Sequence, residues 1–329
     1  MIKARLATAL VLSTTLGLNF LGCGGSSAST APALITDVYA AGYGRSSGHH
    51  IAMVWKNGVA TALSDGTHEA FAYSVAVSGN DVYVAGLEHD GAAGNAVIKV
   101  WKNGVVTTLT DGTNFAYSVS LAVSGPDVYV AGTDGAVAKI WKNGVMTALT
   151  NGTQSAGARA VTVSGSDVYV AGYQVSAAVW KNGIATPLTD GTQNAGAYAV
   201  AVSGSDVYAA GFESNGTRDV AKVWKNGTAM ALTDGTADAY AFATAISGSD
   251  VYVAGTKAPG GSSVAIVWKN GVATALTGQV WTDARCIAVS GSDVYVAGGD
   301  GSGAKLWKNG GPSTLAGGDG ATAVFVNVH

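Results

Sequence analysis

The chain is poor in cysteine, proline and charged residues. Its two cysteines, Cys23 and Cys286, exclude a framework of several disulfides, so the fold must be held by packing. Only five prolines occur in its 329 residues, which leaves β-ladders free to run unbroken. Charged residues make up 12% of the chain and no basic run occurs, so we expect no nucleic-acid partner.

The first 22 residues have the order of a secretory signal peptide. Lys3 and Arg5 precede an apolar stretch, Leu6 to Phe20, that is too short to span a membrane. Removal of this segment takes the net charge from −3 to −5, because Lys3 and Arg5 are lost. No later stretch approaches the roughly 20 apolar residues of a membrane-spanning helix.

The segment Leu21-Gly22-Cys23-Gly24 follows the apolar stretch and resembles the lipobox of bacterial lipoproteins. The resemblance implies that Cys23 receives lipid, becomes the mature N-terminus and anchors the protein to a membrane. It also implies residence in the outer membrane or at the cell surface, because Gly24 stands where an aspartate marks inner-membrane retention. Residues 23–33 consist mainly of small residues and predict a flexible tether.

Two short motifs recur seven times in a fixed order. Asp-Val-Tyr begins at Asp37, Asp81, Asp127, Asp167, Asp206, Asp250 and Asp293. Trp-Lys-Asn-Gly begins at Trp55, Trp101, Trp141, Trp180, Trp224, Trp268 and Trp307. A repeat of about 40 to 45 residues is typical of β-propeller blades. We expect these tyrosines and tryptophans to pack between blades, since a residue present in every repeat is explained by the fold.

Each repeat predicts four short strands. In the copy from Ala197 to Asp234, an alternating run, a Ser-Gly-Ser turn and a β-branched run precede a variable loop. Two more apolar runs then flank Asn226-Gly227, a pair that favours a type I′ hairpin turn. We therefore predict that residues 34–329 form an all-β, seven-bladed β-propeller with four antiparallel strands in each blade.

The ends of the repeat array predict how the ring closes. The array begins at a second strand, Asp37 to Gly42, with no first strand before it. It ends at Ala321 to Val326, which matches the first strands of other repeats and has no second strand after it. We expect the C-terminal strand to join the N-terminal blade, so that no unpaired edge remains at the junction.

The second strand of the repeat carries a family resemblance. Val-Tyr-Val-Ala-Gly after a Ser-Gly-Ser-Asp turn is similar to the second strand of kelch-type blades and of bacterial surface propeller repeats. Only Gly298-Gly299 shows the kelch double glycine, and the Trp-Lys-Asn-Gly turn is not a kelch feature. The similarity implies the architecture and no particular active site, because propellers host many functions.

The repeats predict one uniform and one variable face of the ring. Near-identical Ser-Gly-Ser-Asp and Lys-Asn-Gly turns fill the uniform face. The variable face receives the loops that differ between repeats. The aromatic residues outside the two motifs, apart from Phe20 and Phe325, lie in or beside these loops. Recognition residues usually sit in loops on a rigid scaffold, so we expect binding there. The candidate ligand-binding residues are Trp281, Arg159, Arg285, Tyr73, Tyr198, Phe242, Tyr43 and Tyr173.

Two other kinds of site stay open. His49, His50, His68 and His89 fall in loops of neighbouring repeats and are weak candidates for metal ligands, the simpler explanation being solvated loop residues. A propeller enzyme acting on a polysaccharide would draw its acid and base from carboxylates in the variable loops, although no catalytic motif occurs. Those carboxylates are Glu69, Glu88, Asp90, Asp238 and Asp283.

The function expected from these patterns is binding. We expect a monomeric lipoprotein of the cell envelope, without a cofactor, that presents its variable face to a glycan or a protein. The alternatives are a polysaccharide hydrolase or lyase and a purely structural surface protein.

Replacing Cys23 with Ala should release the protein from the membrane into the soluble fraction, because no lipid can then be attached. Cell fractionation followed by immunoblotting measures this. Cys286→Ala is the matched control and should stay in the membrane pellet. A Cys23→Ala variant that also stays in the pellet would contradict the lipoprotein interpretation.

Overall fold

The structure of the chain is a computed structural model that describes residues 35–90, 94–276 and 281–329. The predicted signal peptide, Cys23 and the tether lie outside the described residues. Within those ranges, no helix has the length and apolar composition needed to cross a membrane.

The described residues form seven four-stranded antiparallel sheets, here called blades 1 to 7. Blade 1 contains β1 (Thr36–Ser46), β2 (His49–Lys56), β3 (Val59–Ala62) and the C-terminal β28 (Gly318–Val328). Blade 2 contains β4 (Ala70–Ser78), β5 (Asp81–Glu88), β6 (Val97–Lys102) and β7 (Val105–Thr108). Blade 3 contains β8 (Ala116–Ser124), β9 (Asp127–Asp134), β10 (Val137–Lys142) and β11 (Val145–Ala148).

The later blades repeat this order. Blade 4 contains β12 (Ala156–Ser164), β13 (Asp167–Gln174), β14 (Ser176–Lys181) and β15 (Ile184–Pro187). Blade 5 contains β16 (Ala195–Ser203), β17 (Asp206–Ser214), β18 (Asp219–Lys225) and β19 (Thr228–Ala231). Blade 6 contains β20 (Asp238–Ser247), β21 (Asp250–Ala258), a short 3₁₀ helix (Pro259–Gly261), β22 (Val264–Lys269) and β23 (Val272–Ala275). Blade 7 contains β24 (Asp283–Ser290), β25 (Asp293–Asp300), β26 (Gly303–Lys308) and β27 (Gly311–Thr314).

The blades form a closed ring. The innermost strands β4, β8, β12, β16, β20, β24 and β28 each contact the next around the axis, and β28 contacts β4. In blade 1 the sheet order is β28-β1-β2-β3, with Tyr39 opposite Phe325 and Ala40 opposite Val324. The seven-bladed all-β fold and its closure by the C-terminal strand are therefore confirmed.

The tryptophans of the repeat are buried between blades, as predicted. Trp101 of blade 2 packs with Tyr39 of blade 1, and Trp55 of blade 1 packs with Tyr295 of blade 7, which continues the pattern across the junction. All seven are at most 2% exposed. Truncating a buried aromatic side chain typically costs about 3–5 kcal/mol, so these contacts supply much of the stability.

A hydrogen-bonded clamp fixes the turns of the uniform face. In blade 5, Lys225 Nζ lies 2.7 Å from Asp206 Oδ2, and Asn226 Nδ2 donates to Asp206 Oδ1 over 2.8 Å. Asn226 Oδ1 accepts the N–H of Val207, and Lys225 lies over the ring of Tyr208. The hydrogen bond from Lys225 lowers the pKa of Asp206 below its usual value. All seven blades repeat the ion pair, so a structural role accounts for the repetition of these turns.

The Asp-Gly-Thr turn between blades is also structural. Asp190 Oδ1 accepts hydrogen bonds from the backbone N–H and the hydroxyl of Thr192, over 2.9 and 2.7 Å. Asn151 accepts the same two bonds from Thr153. Because a neutral amide replaces the carboxylate without changing the turn, the side chain closes an Asx turn and its charge is not required.

Deleting residues 321–329 should destabilise the whole ring, because the second strand of blade 1 then loses its partner and exposes an edge. We expect aggregation by light scattering and a large fall in the midpoint of thermal unfolding. Val59→Thr, at an exposed position of the outermost strand of blade 1, is the control and should unfold like the natural chain. An unchanged midpoint in the truncated protein would argue against closure by this strand.

Candidate functional site

Each innermost strand carries a β-bulge near its variable-face end. In blade 4, Ala158 pairs with Gly172 and Ala160 with Ala171, so Arg159 has no partner in the ladder. The bulged residues of the seven blades are Tyr73, Ser118, Arg159, Tyr198, Phe242, Arg285 and Thr322. All seven line one cavity of about 810 Å³, here called the channel mouth. One side chain from every blade therefore meets at a single site.

In each blade, a glycine in the second strand makes the bulge of the innermost strand possible. A Cβ at Gly211 would overlap the carbonyl oxygen of Gly196 on the innermost strand, and one at Gly172 would overlap that of Gly157. The glycine of the repeated Ala-Gly pair thus allows the bulged strand to approach closely, as glycines inside strands often do. The spacing of the motifs does not predict the bulge, although a glycine repeated inside an otherwise β-branched strand is a typical sign of one.

The structure brings the predicted ligand-binding residues together. Seven of the eight line the channel mouth: Trp281, Arg159, Arg285, Tyr73, Tyr198, Phe242 and Tyr43. The eighth, Tyr173, lies behind this lining with its ring 5.5 Å from the Arg159 guanidinium carbon. Trp281 is 66% exposed, so its indole is free for contact with a ligand at the rim.

Two clusters of aromatic rings surround the mouth. In the first, Phe71 lies 5.1 Å from Tyr43 and 6.2 Å from Tyr73, measured between ring centroids. In the second, Tyr198 lies 5.6 Å from Phe242 and the same distance from Phe212. Burial raises the pKa of Tyr73 and Tyr198, so both phenols stay protonated at neutral pH. The aromatic part of the mouth lining is consequently uncharged.

The two bulged arginines have different surroundings. Arg285 Nε lies 2.6 Å from Asp283 Oδ2, and its guanidinium lies over Phe242 at 4.8 Å. The Arg159 guanidinium carbon lies 4.9 Å from the ring centroid of Tyr198 and 5.5 Å from that of Tyr173. Arg159 forms no ion pair with any described residue. Its Nε is buried and has no hydrogen-bond partner among those residues. Arg159 therefore keeps an uncompensated charge.

A complementary exchange of residues explains this difference. Asp283 of the innermost strand faces Gly299 of the second strand in blade 7, whereas Gly157 faces Tyr173 in blade 4. A Cβ at position 157 would come within 2.6 Å of the Tyr173 ring. In blade 7, the residue two positions before the arginine is an aspartate that pairs with it. In blade 4 that residue is a glycine, and the ring of Tyr173 lies beside the arginine instead.

The carboxylates considered for catalysis all contact a lysine, arginine or histidine side chain. Glu69 binds His50 over 2.6 Å, and Asp238 binds Arg218 over 3.0 Å. Glu88 and Asp90 share Lys99, and Asp283 binds Arg285. The hydrogen bond from His50 lowers the pKa of Glu69, and the backbone N–H of Asp219 lowers that of Asp238. A glycosidase needs one carboxyl with a raised pKa as its acid, which this arrangement does not favour.

Of the four histidines, His49 is exposed and the other three make separate contacts. His50 binds Glu69, His89 packs between Phe71 and Phe115, and His68 Nδ1 lies 3.1 Å from the Thr67 hydroxyl. Residues 35–90, 94–276 and 281–329 contain no group of three or more His, Cys, Asp or Glu side chains arranged to hold a metal ion.

Cys286 lies in the core beside the mouth. Its Sγ is 3.8 Å from the carbonyl oxygen of Val324, and burial raises the pKa of the thiol. The thiol therefore stays protonated, as expected for a small packing residue rather than a nucleophile.

Gly211→Ala should destabilise the protein by about 1–3 kcal/mol or more, because the new Cβ pushes against a backbone carbonyl that cannot move freely. Gly301→Ala is the matched control: it lies in an open turn where a Cβ meets nothing within 4 Å, so its effect should stay within about 0.5 kcal/mol. Urea unfolding measures both. Equal stabilities for the two variants would contradict the role assigned to the glycine.

Comparisons with known proteins give no family. No protein-family model matches the chain, and no curated protein matches it. Among solved structures, the chain is similar to the tricorn protease, with 11% identity and a TM-score of 0.48. The match covers 75% of this chain and 26% of that one, so this chain spans about a quarter of the length of the protease.

Proposed function

We propose that this chain is a lipid-anchored binding protein of the cell envelope that takes a glycan into the channel mouth. The observation that supports this most directly is the convergence of the seven bulged side chains on one cavity of about 810 Å³. These positions differ between blades while the surrounding strand is repeated, so the fold does not dictate their identity.

The shape and lining of the mouth favour a glycan over a flat protein surface. Small-molecule sites are concave, of about 300–1,000 Å³, and combine apolar walls with a few polar groups. Here Tyr73, Tyr198, Phe242 and Trp281 offer ring surfaces, while Arg159 offers hydrogen-bond donors. A sugar ring has apolar C–H faces and hydroxyl edges that match such a wall.

The proposed anchor suits this role. Lipid on Cys23 would hold the chain at the membrane, and residues 23–33 would act as a linker. A flexible linker of this length has a root-mean-square span of about 20 Å. The propeller would then stand clear of the lipid surface as a monomer, with its mouth accessible to envelope or external polysaccharide.

Trp281→Ala should weaken glycan binding about fivefold or more, because an exposed aromatic contact contributes on the order of 1 kcal/mol. A glycan array screened with the purified chain identifies the ligand, and titration calorimetry measures the variants. Lys102→Ala and Lys225→Ala alter exposed clamps of the uniform face and should bind like the natural chain. Binding lost only in the lysine variants would place the site on the other face, and an array without any bound glycan would contradict the proposed function.

A further inference from the structure

Charge at the channel mouth is unevenly compensated. Its lining contains two arginines and three aspartates. Asp283 pairs with Arg285, Asp319 pairs with Arg45 over 3.2 Å, and Asp300 lies 3.6 Å from Lys305 Nζ. These pairs leave Arg159 as the one charge at the mouth without a described partner of opposite sign.

Arg159 is also the one unpaired side chain among all the described lysines and arginines. Every other lysine and arginine in residues 35–90, 94–276 and 281–329 lies within 4.0 Å of a carboxylate. Partly buried charges are normally paired because removal from water is costly. An arginine left unpaired in a half-buried, aromatic-lined cavity is therefore a site prepared for an anion.

We propose that Arg159 binds the acid group of a charged glycan, which names the ligand class and rests on the proposed function. A guanidinium donates two parallel hydrogen bonds to a carboxylate or to the oxygens of a sulfate ester. The rings of Tyr173 and Tyr198 hold it by cation–π contacts, and the bulge fixes its backbone at the mouth. Tyr198 and Phe242, bulged in the next two blades, are placed to contact the sugar ring that bears the acid.

The structure provides a matched control for this role. Arg285 occupies the equivalent bulge, lines the same cavity and also lies over an aromatic ring, yet Asp283 already neutralises it. Arg159→Met keeps a long apolar side chain and removes the guanidinium, and Arg285→Met/Asp283→Asn removes a guanidinium together with the carboxylate that neutralises it. The two variants thus differ in whether an uncompensated charge is lost.

The test uses the full chain with three probes of equal length: an oligosaccharide of uronic acids, a sulfated oligosaccharide and a neutral one. We expect the natural chain to bind one or both acidic probes more tightly than the neutral one, and the preferred acidic probe distinguishes carboxylate from sulfate. Arg159→Met should weaken acidic-probe binding about tenfold or more, and the double variant Arg285→Met/Asp283→Asn, which removes the whole neutral pair, less than about threefold. Asp283→Asn, which removes the carboxylate that neutralises Arg285, should strengthen the binding of the acidic probes.

The outcomes separate this proposal from the proposed function. Equal binding of neutral and acidic probes, or equal losses in the two methionine variants, would overturn the role of Arg159 while leaving a glycan-binding mouth. Capture of an acidic peptide with no oligosaccharide bound would overturn both. Circular dichroism and thermal unfolding confirm that each variant is folded, so a loss of binding is not mistaken for a loss of structure.

Discussion

The tryptophan of each blade is buried against the preceding blade, and we therefore expect the seven blades to fold and unfold as one cooperative unit. Trp55 of blade 1 packs against blade 7, so the contact that begins the ring also ends it. No blade buries its tryptophan without its neighbour, as in repeat proteins whose units are stable only when stacked. Pairing of β28 with β1 is therefore needed by every blade, because an open ring leaves one tryptophan interface incomplete.

The closed ring also sets where the variable residues lie. Each blade presents its innermost strand to the axis, and the glycine of the repeated Ala-Gly pair in the second strand lets each innermost strand bulge at the same place. The seven bulged side chains then face one another across the channel mouth. The repeated strands thus bring together, in one cavity, seven side chains that differ from blade to blade. A binding site requires such a set of side chains held on a rigid scaffold.

The sequence predicts the blades, their strands and the closure, because these depend on counting motifs and on where the array starts and stops. It also predicts that Tyr73, Tyr198, Arg159 and Arg285 share a face. It does not predict the bulges, since a one-residue shift of register leaves the motif spacing unchanged. Nor does it predict which arginine is unpaired, because that depends on the Asp283–Gly299 and Gly157–Tyr173 exchange across two strands.

The placement of Arg159 has a consequence for selectivity. The chain carries a net negative charge, so long-range attraction does not draw anions to it, and recognition must come from contact at short range. In an aromatic, partly water-excluded site the attraction between a guanidinium and an acid is stronger than in bulk water. A neutral sugar provides no negative charge for the guanidinium, and a small free anion makes no contact with the aromatic rings. Only a ligand that joins an acid to a ring satisfies both parts of the mouth.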